Sequence, residues 1–245
     1  MKKNLISTAI VSVLALTGAS AMAHEAGDIL VRGGLTSVAP DASSSPILAG
    51  SLDLGQALPS IGSSLTVDVD NNTQIGLNLA YFITDNINIE LLAATPFSHD
   101  IEFAAGKLAS TKHLPPSVTA NYFFLDPSSK FQPYVGAGIN YTIFFDEKFD
   151  QDAVATIETV TAGDLGAAAT VSNLDLDASF GLTVQAGFDY ELSEGMYLNA
   201  SVRYIDIETE ASFDIAGVPS VATTGSIETV DINPMVYTIS IGYKF

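Results

Sequence analysis

The sequence contains no cysteine, which excludes a disulfide framework, a thiolate nucleophile and any Cys-ligated zinc or iron–sulfur centre. Basic residues are scarce: 9 Lys and Arg stand against 28 Asp and Glu, a formal charge of −19. Recognition of a phosphate backbone needs a basic face, so nucleic acid is not an expected partner. Charged residues make up only 15% of the chain, where soluble domains carry roughly 25%. Beyond the N-terminus no stretch approaches the ~18 consecutive apolar residues of a spanning helix, which excludes a helical membrane protein. Yet 47% of the 245 residues are hydrophobic. The acids must be gathered in places, while much of the remainder meets something apolar.

The first residues account for part of that hydrophobicity. Lys2 and Lys3 precede an apolar stretch from Leu5 to Leu16, and Ala21-Met22-Ala23 follows. A basic start, a short apolar core and an A-x-A end form a secretory signal peptide, residues 1–23. The alternative, an N-terminal anchor, falls short of the ~20 residues a spanning helix needs. Cleavage after Ala23 leaves a mature, exported chain of residues 24–245 that begins at His24.

Period-two alternation recurs in segments of about ten residues, the weak signature of transmembrane β-barrel strands. Eight such segments lie at 28–38, 73–83, 86–95, 117–125, 132–145, 178–191, 196–208 and 231–245. The last alternates most clearly, with Met235, Tyr237, Ile239, Ile241, Tyr243 and Phe245 on one face. Phe180, Leu182, Val184, Ala186, Phe188 and Tyr190 share a face of the sixth. Short links at 84–85, 126–131 and 192–195 alternate with long ones at 39–72, 96–116, 146–177 and 209–230. Short periplasmic turns, long extracellular loops and an even strand count belong to outer-membrane barrels. A soluble eight-stranded barrel must present its outer face to water. Here that face carries Ile75, Leu77, Leu79, Tyr81 and Ile83 on the second strand, which suit lipid. The expected fold is therefore an all-β, eight-stranded antiparallel transmembrane barrel of the outer-membrane type.

Most of the acids fall in the long loops, opposed there by Lys107, Lys112 and Lys148. A solvated, self-repelling collar is one reading. Divalent-cation bridging to anionic lipid headgroups is the other, since hard cations prefer carboxylate oxygens. No EF-hand-type spacing is present, so no metal ligand is assigned and no cofactor is expected. Catalytic motifs are equally lacking. His99 and His113 lie in a loop outside any G-x-S-x-G or H-E-x-x-H pattern, so an enzyme is not expected.

Alternation also orders the lumen by depth. Asn88, Asp189, Tyr197, Asn199 and Lys244 fall near the periplasmic end, and Arg32, Glu90, Asn140 and Arg203 around the middle. Leu92, Ala94, Phe144, Ile205, Ile207 and Val236 lie nearer the outside. Inward glycines at 76, 136, 138, 181, 187 and 242 leave some space. An eight-stranded barrel holds its own side chains or one small ligand, and Arg32, Glu90 and Arg203 should pair and block the lower half. An apolar solute could then shed its water in the upper chamber, stop at the polar floor and leave sideways into lipid. Alternatively Leu92, Phe144 and Ile205 are packed interior and nothing more.

Several ordered motifs resemble the outer membrane protein W (OmpW) family. They run from His24-Glu25-Ala26-Gly27 through Asn72-Thr73-Gln74-Ile75-Gly76 and Thr84-Asp85-Asn86. They are densest at Glu90-Leu91-Leu92-Ala93-Ala94-Thr95-Pro96-Phe97 and His113-Leu114-Pro115-Pro116. They resume at Ser129 through Tyr141, in the run SKFQPYVGAGINY. The resemblance implies a narrow hydrophobic lumen that admits small hydrophobic molecules passively, with lateral release into the bilayer. It equally implies, as the alternative, a surface receptor or structural protein that binds bacteriocin or phage through its loops. The expected surroundings are outer-membrane lipids and lipopolysaccharide. The ending Gly242-Tyr243-Lys244-Phe245 resembles the aromatic signal read by the barrel-assembly machinery. The family's hydrophobic constriction falls on Leu92. Its second gate position, which can be tryptophan, falls on Phe180 in a chain without tryptophan. Alternation puts Phe180 on the lipid side unless a bulge shifts the register.

Overall fold

The computed structural model describes residues 24–61, 66–103 and 106–245. The expected signal peptide, residues 1–23, lies outside the described residues. In chain order the elements are β1 (Ile29–Ala39), β2 (Ser43–Ser44), β3 (Leu48–Ala49), β4 (Leu52–Asp53), α1 (Leu54–Ala57), β5 (Asp68–Val69), β6 (Asn72–Thr84), β7 (Ile87–Ala94), β8 (Phe97–Phe103) and β9 (Gly106–Leu114). There follow β10 (Ser117–Phe123), β11 (Phe131–Phe149), α2 (Gln151–Asp164), β12 (Thr170–Leu176), β13 (Ser179–Ser193), β14 (Met196–Ile205), β15 (Glu208–Ala216), β16 (Thr224–Asp231) and β17 (Met235–Lys244).

Eight of these strands close into an antiparallel barrel, in the order β10-β7-β6-β1-β17-β14-β13-β11 with β10 paired back onto β11. They correspond to the eight alternating segments. Side-chain period two makes each strand two-faced. Leu30, Ala80 and Phe82 are wholly buried, whereas their outward counterparts Leu35, Ile75, Leu182 and Ile239 are each more than 60% exposed. Such surface is stable only against lipid.

Outward aromatic residues form two girdles. The lower one holds Tyr81, Tyr122, Phe131, Tyr190 and Tyr243, and the upper one Tyr141, Phe180, Tyr204 and Tyr237. Phe131 and Tyr141 are ten residues apart on β11, about 33 Å of strand at ~3.3 Å per residue. A strand tilt near 40° reduces this to about 25 Å along the barrel axis, the height of a lipid-facing band. Everything above Tyr141 therefore stands outside the hydrocarbon.

Above that level the expected long loops are folded into strands and helices rather than open. β8 and β9 carry β7 and β10 onward past Pro96 and Pro115-Pro116, forming a hairpin that pairs with β5 and β11. β12, β15, β16, β3 and β4 make a second sheet, with β2 joined to β16. β11 runs to Phe149, past its expected end at 145, through a bulge between Phe145 and Lys148 where Asp146 adopts φ +63°. The seventh segment breaks after Ile205, and the eighth begins at Met235 behind Asn233-Pro234. β15 buries alternate residues throughout, with Thr209, Ala211, Phe213 and Ile215 inward. Several acids act locally rather than as a repelling cloud. Asp53 and Asp150 accept backbone N–H bonds at the starts of α1 and α2, satisfying donors a helix start leaves free. Asp146 pairs with Lys112 and Lys148, and Asp100 with Lys107.

Above the membrane the wall opens between β11 and β12. The last rung between β11 and β13 is Thr142 with Ser179. Beyond it β11 pairs with β9, and β12 with β15. Among the described residues, no ladder joins 143–149 to 170–176.

Candidate cavity and its floor

Within the membrane the barrel interior is full, ion-paired at mid-height and aromatic toward the periplasmic end, where Leu30, Phe82, Phe123, Tyr134 and Tyr197 cluster. Glu90 accepts from Arg32 Nη1 at 2.6 Å and from Arg203 Nη2 at 2.7 Å. Arg32 Nη2 also reaches Asp189, whose other oxygen accepts from Asn199 at 2.8 Å. Gln185 bridges Arg203, Glu90, Thr119 and Asn121. Arg32, Glu90 and Asp189 have no accessible surface and Arg203 has 3%, so no bore crosses this level. Charges removed from water hold only if paired and hydrogen-bonded; here both arginines face carboxylates, and only Arg32 Nε and Arg203 Nη1 of their nitrogens are buried without a partner among the described residues. Below it His24 stacks on Phe82 at 4.2 Å, lies against Tyr197 and Phe123, and comes within 3.5 Å of Asp189.

The inward glycines do not leave the space expected of them. A Cβ on Gly136 would stand 1.9 Å from Asn121 Oδ1, and one on Gly242 2.8 Å from Arg32 Cγ. The room they free is already occupied by the polar plug.

Above the plug lies a packed apolar layer. Val38, Ile205, Ile207, Val236 and Phe97 belong to one buried cluster, each with about 1–2% of its surface accessible. Ala94 and Phe144 pack against it. Leu92 is 4% exposed and one inward position above Glu90, opposite Ser117 and Asn78. Phe180 is 67% exposed and faces lipid from the upper girdle, so it does not line the lumen. No bulge interrupts the β11–β13 register around it.

The upper tier, in contrast, is hollow. A cavity opens between Leu54, Leu58, Ile101, Phe149, Ile157, Phe213 and Ile227, among others, and the surface it presents is apolar. Its free volume, counted at the centres of water-sized molecules, is about 100 Å³, against the ~10–15 Å³ one water needs on the same measure. Of the residues expected to line an apolar lumen, Phe144 reaches this cavity. Ala94, Ile205 and Val236 lie in the layer beneath, and Leu92 sits just above Glu90 among Ser117 and Asn78. Ile157 brings α2 over the cavity. The helix end is tied to the first loop by Ser60, whose Oγ donates to Asp164 at 2.8 Å.

Two histidines taken from sequence as ordinary loop residues meet in the cavity wall. His99 and His113 stack with centroids 4.9 Å apart and planes 14° apart, between Phe97 and Phe144. The β8–β9 register, with Phe97 opposite His113 and His99 opposite Thr111, brings them together. The alternation Phe97, His99, Ile101 would have shown this, had 96–116 been taken as a hairpin. His99 donates Nδ1–H to the Asp70 carbonyl oxygen at 2.6 Å. Burial holds its imidazole below the usual histidine range and, with His99 beside it, pushes His113 down to about 3. Both rings are neutral at physiological pH.

The C-terminal aromatics Tyr243 and Phe245 lie outward at the lower rim with ring centroids 5.0 Å apart. Phe245 exchanges backbone hydrogen bonds with Ile29, which carries the ladder to the end of the chain.

Comparison with known proteins gives the same architecture. The profile of the OmpW family matches residues 25–245. Outer membrane protein W of Vibrio cholerae is 42% identical over the whole of both chains, and that of Escherichia coli 40%. The crystal structure of the outer membrane protein OprG from Pseudomonas aeruginosa superposes with a TM-score of 0.77 at 37% identity. It covers 91% of this chain and 97% of that one.

Proposed function

The chain belongs to the OmpW family of outer-membrane β-barrels, and from that premise we propose that it admits small hydrophobic molecules passively through the upper cavity. Solute leaves the water under α2, occupies the cavity, passes sideways through the seam between β11 and β12 and descends the outer face past Tyr141 and Phe180 to the bilayer. The observation that carries this reading is the sequence of levels along one axis. A hollow apolar chamber stands over a packed apolar layer, and that layer over a sealed ion-paired floor. A straight route to the periplasm would carry an apolar solute through buried charge, which is costly. The sideways route crosses a seam without hydrogen bonds to break. The packed layer with Leu92, Ile205 and Val236 serves in this reading as the stop, and Arg32, Glu90 and Arg203 as the seal beneath it. Lipopolysaccharide and phospholipid surround the girdles, and the exposed Tyr243 and Phe245 are what the assembly machinery reads. A folded upper tier also offers a fixed surface to a bacteriocin or phage, as a second role for the same loops.

The test is delivery of a fluorescent apolar probe into vesicles carrying the purified barrel. The native barrel should raise the rate over empty vesicles. Phe144→Arg should return it to the background while the barrel stays folded, because a charge would then stand in the cavity wall. Equal rates for native and empty vesicles would overturn the proposal.

A further inference from the structure

A solute that leaves the seam has the polar headgroups still to cross, a layer of about 5–7 Å in each leaflet. Water and headgroups at that height hold back an apolar molecule. The seam begins just past the Thr142–Ser179 rung. Ile143, one residue above that rung on β11, and Phe180, one residue below it on β13, are both exposed and outward.

β11 differs at this level from the rest of the wall. Its outward positions above Tyr141 are Ile143 and then Phe145, and Leu114 stands opposite Ile143 on β9. Other strands turn polar at the same step: Asp206 and Glu208 stand above Tyr204, Thr73 above Ile75, Thr95 above Ala93 and Ser37 above Leu35. Alternation turns Phe145 away from the cavity, whose wall takes its neighbour Phe144. The apolar face ends where Lys112, opposite Phe145, donates to Asp146 at 2.7 Å. From Tyr141 to Phe145 the strand advances about 13 Å, or about 10 Å along the axis at a tilt near 40°. That rise exceeds the headgroup layer. Across the seam, β12 turns Leu174 and Leu176 to the cavity and the exposed Asp175 and Asp177 outward. The β11 side of the seam is apolar on both faces, and the β12 side on one.

We propose that Ile143, Phe145 and Leu114 form an apolar ramp, covered by acyl chains of the outer leaflet, that brings hydrocarbon up to the seam. The ramp is continuous with the lipid-facing band below Tyr141, which argues for lipid as its occupant. A bilayer thickens locally against a longer apolar surface at modest cost. Solute then moves from the Phe144 face of β11 to its Phe145 face and enters lipid without crossing headgroups. The ramp rests on the reading of the seam as the exit and assigns that exit to one of its two sides.

The test uses the whole barrel in vesicles of phosphatidylcholine brominated near the ester end of its acyl chains. The chain has no tryptophan, so a single introduced one reports alone. Phe145→Trp should be quenched about as strongly as Leu182→Trp in the lipid band. Glu208→Trp, equally far along the chain from its girdle tyrosine, should be quenched weakly. In the delivery assay, Phe145→Glu should slow transfer to the bilayer roughly tenfold, a barrier of about 1.4 kcal/mol, with probe binding in the cavity unchanged. Phe145→Trp quenched no more than Glu208→Trp, as water, headgroups or a second copy of the chain over this face would leave it, overturns the ramp. Native delivery that Phe145→Glu and Ile143→Glu leave unchanged overturns the ramp as the exit and spares the cavity. A native barrel no faster than empty vesicles overturns the cavity reading and the exit together. The tryptophan variants decide the lipid contact whether or not the glutamate variants fold.

Discussion

The two halves of this molecule have opposite interiors. Between the girdles the outside is apolar and the inside is a filled network of Arg32, Glu90, Asp189, Gln185 and Arg203. Above the upper girdle, charged residues such as Lys112 and Asp146 lie on the exposed surface and the inside is apolar and partly empty. Each half thus carries on its interior what its surroundings do not accept. In lipid the hydrophobic effect cannot drive the barrel to close, so paired charges and the hydrogen-bonded ladder give the interior its shape. In water apolar burial does that work, and the upper tier is held like a small soluble β structure with space left inside. A solute site belongs where the interior is apolar and underfilled, which is the water-exposed half.

Substitution at Glu90 sets the two halves furthest apart. Glu90→Leu strips Arg203 of its carboxylate partner and Arg32 of one of two, leaving charge buried without compensation. Loss of about 3–5 kcal/mol is expected, read from denaturant unfolding in lipid, with apolar probe binding above retained wherever the barrel is folded. Packing sharpens the contrast next. Gly136→Val drives a side chain into Asn121 and the Ala120 carbonyl, so it should cost about 1–3 kcal/mol. Ala211→Leu, whose added atoms enter the cavity, should cost less than the ~1–3 kcal/mol of overpacking a filled core while weakening probe binding. Acidification separates the halves as well. An unfolded histidine takes up its proton near pH 6.5, whereas folded His113 resists until about 3. Its folded pKa is depressed, so the unfolded chain binds the extra proton between those values. Stability is full above about 6.5 and falls as pH drops, by at most ~1.4 kcal/mol per unit. His99, faced by Asp70 and Asp100, shifts in the same direction. Hydrogen-exchange protection, taken relative to the intrinsic rate at each pH, should therefore fall in 106–114 at pH 4.5 and stay unchanged in β1 and β17.

The barrel was legible because lipid imposes a strict rule on sequence. Every second residue of β17 must be apolar, and Tyr237, Ile239 and Ile241 obey. The depth order of Arg32, Glu90 and Leu92 followed from counting along such strands. The upper tier was not legible, although Phe97, His99 and Ile101, or Ala211, Phe213 and Ile215, alternate equally well. Pro96 and Pro115-Pro116 punctuate the chain as turns do, while here they mark the rim where strands change sheet. α2 is rich in β-branched residues (Thr156, Ile157, Thr159, Val160, Thr161) that lower helix propensity. Its N-cap Asp150 and its seat over the cavity make it helical. Glycine misled in the other direction. Its lack of a side chain suggested space at 136 and 242, but a barrel wall can spend that space on a neighbour's side chain. The contacts of His24 and Asp189 join residues 165 positions apart, which no local pattern encodes.

Where a solute arrives decides whether the floor is sealed. The purified barrel would be reconstituted in vesicles with one quencher in the membrane and another confined to the vesicle interior, and an apolar fluorophore added outside. The predicted result is faster quenching in the membrane alone, with no gain in arrival at the interior beyond passage across the bilayer itself. Direct arrival inside, at a rate set by the barrel, would contradict the sealed floor and the division of the molecule built on it.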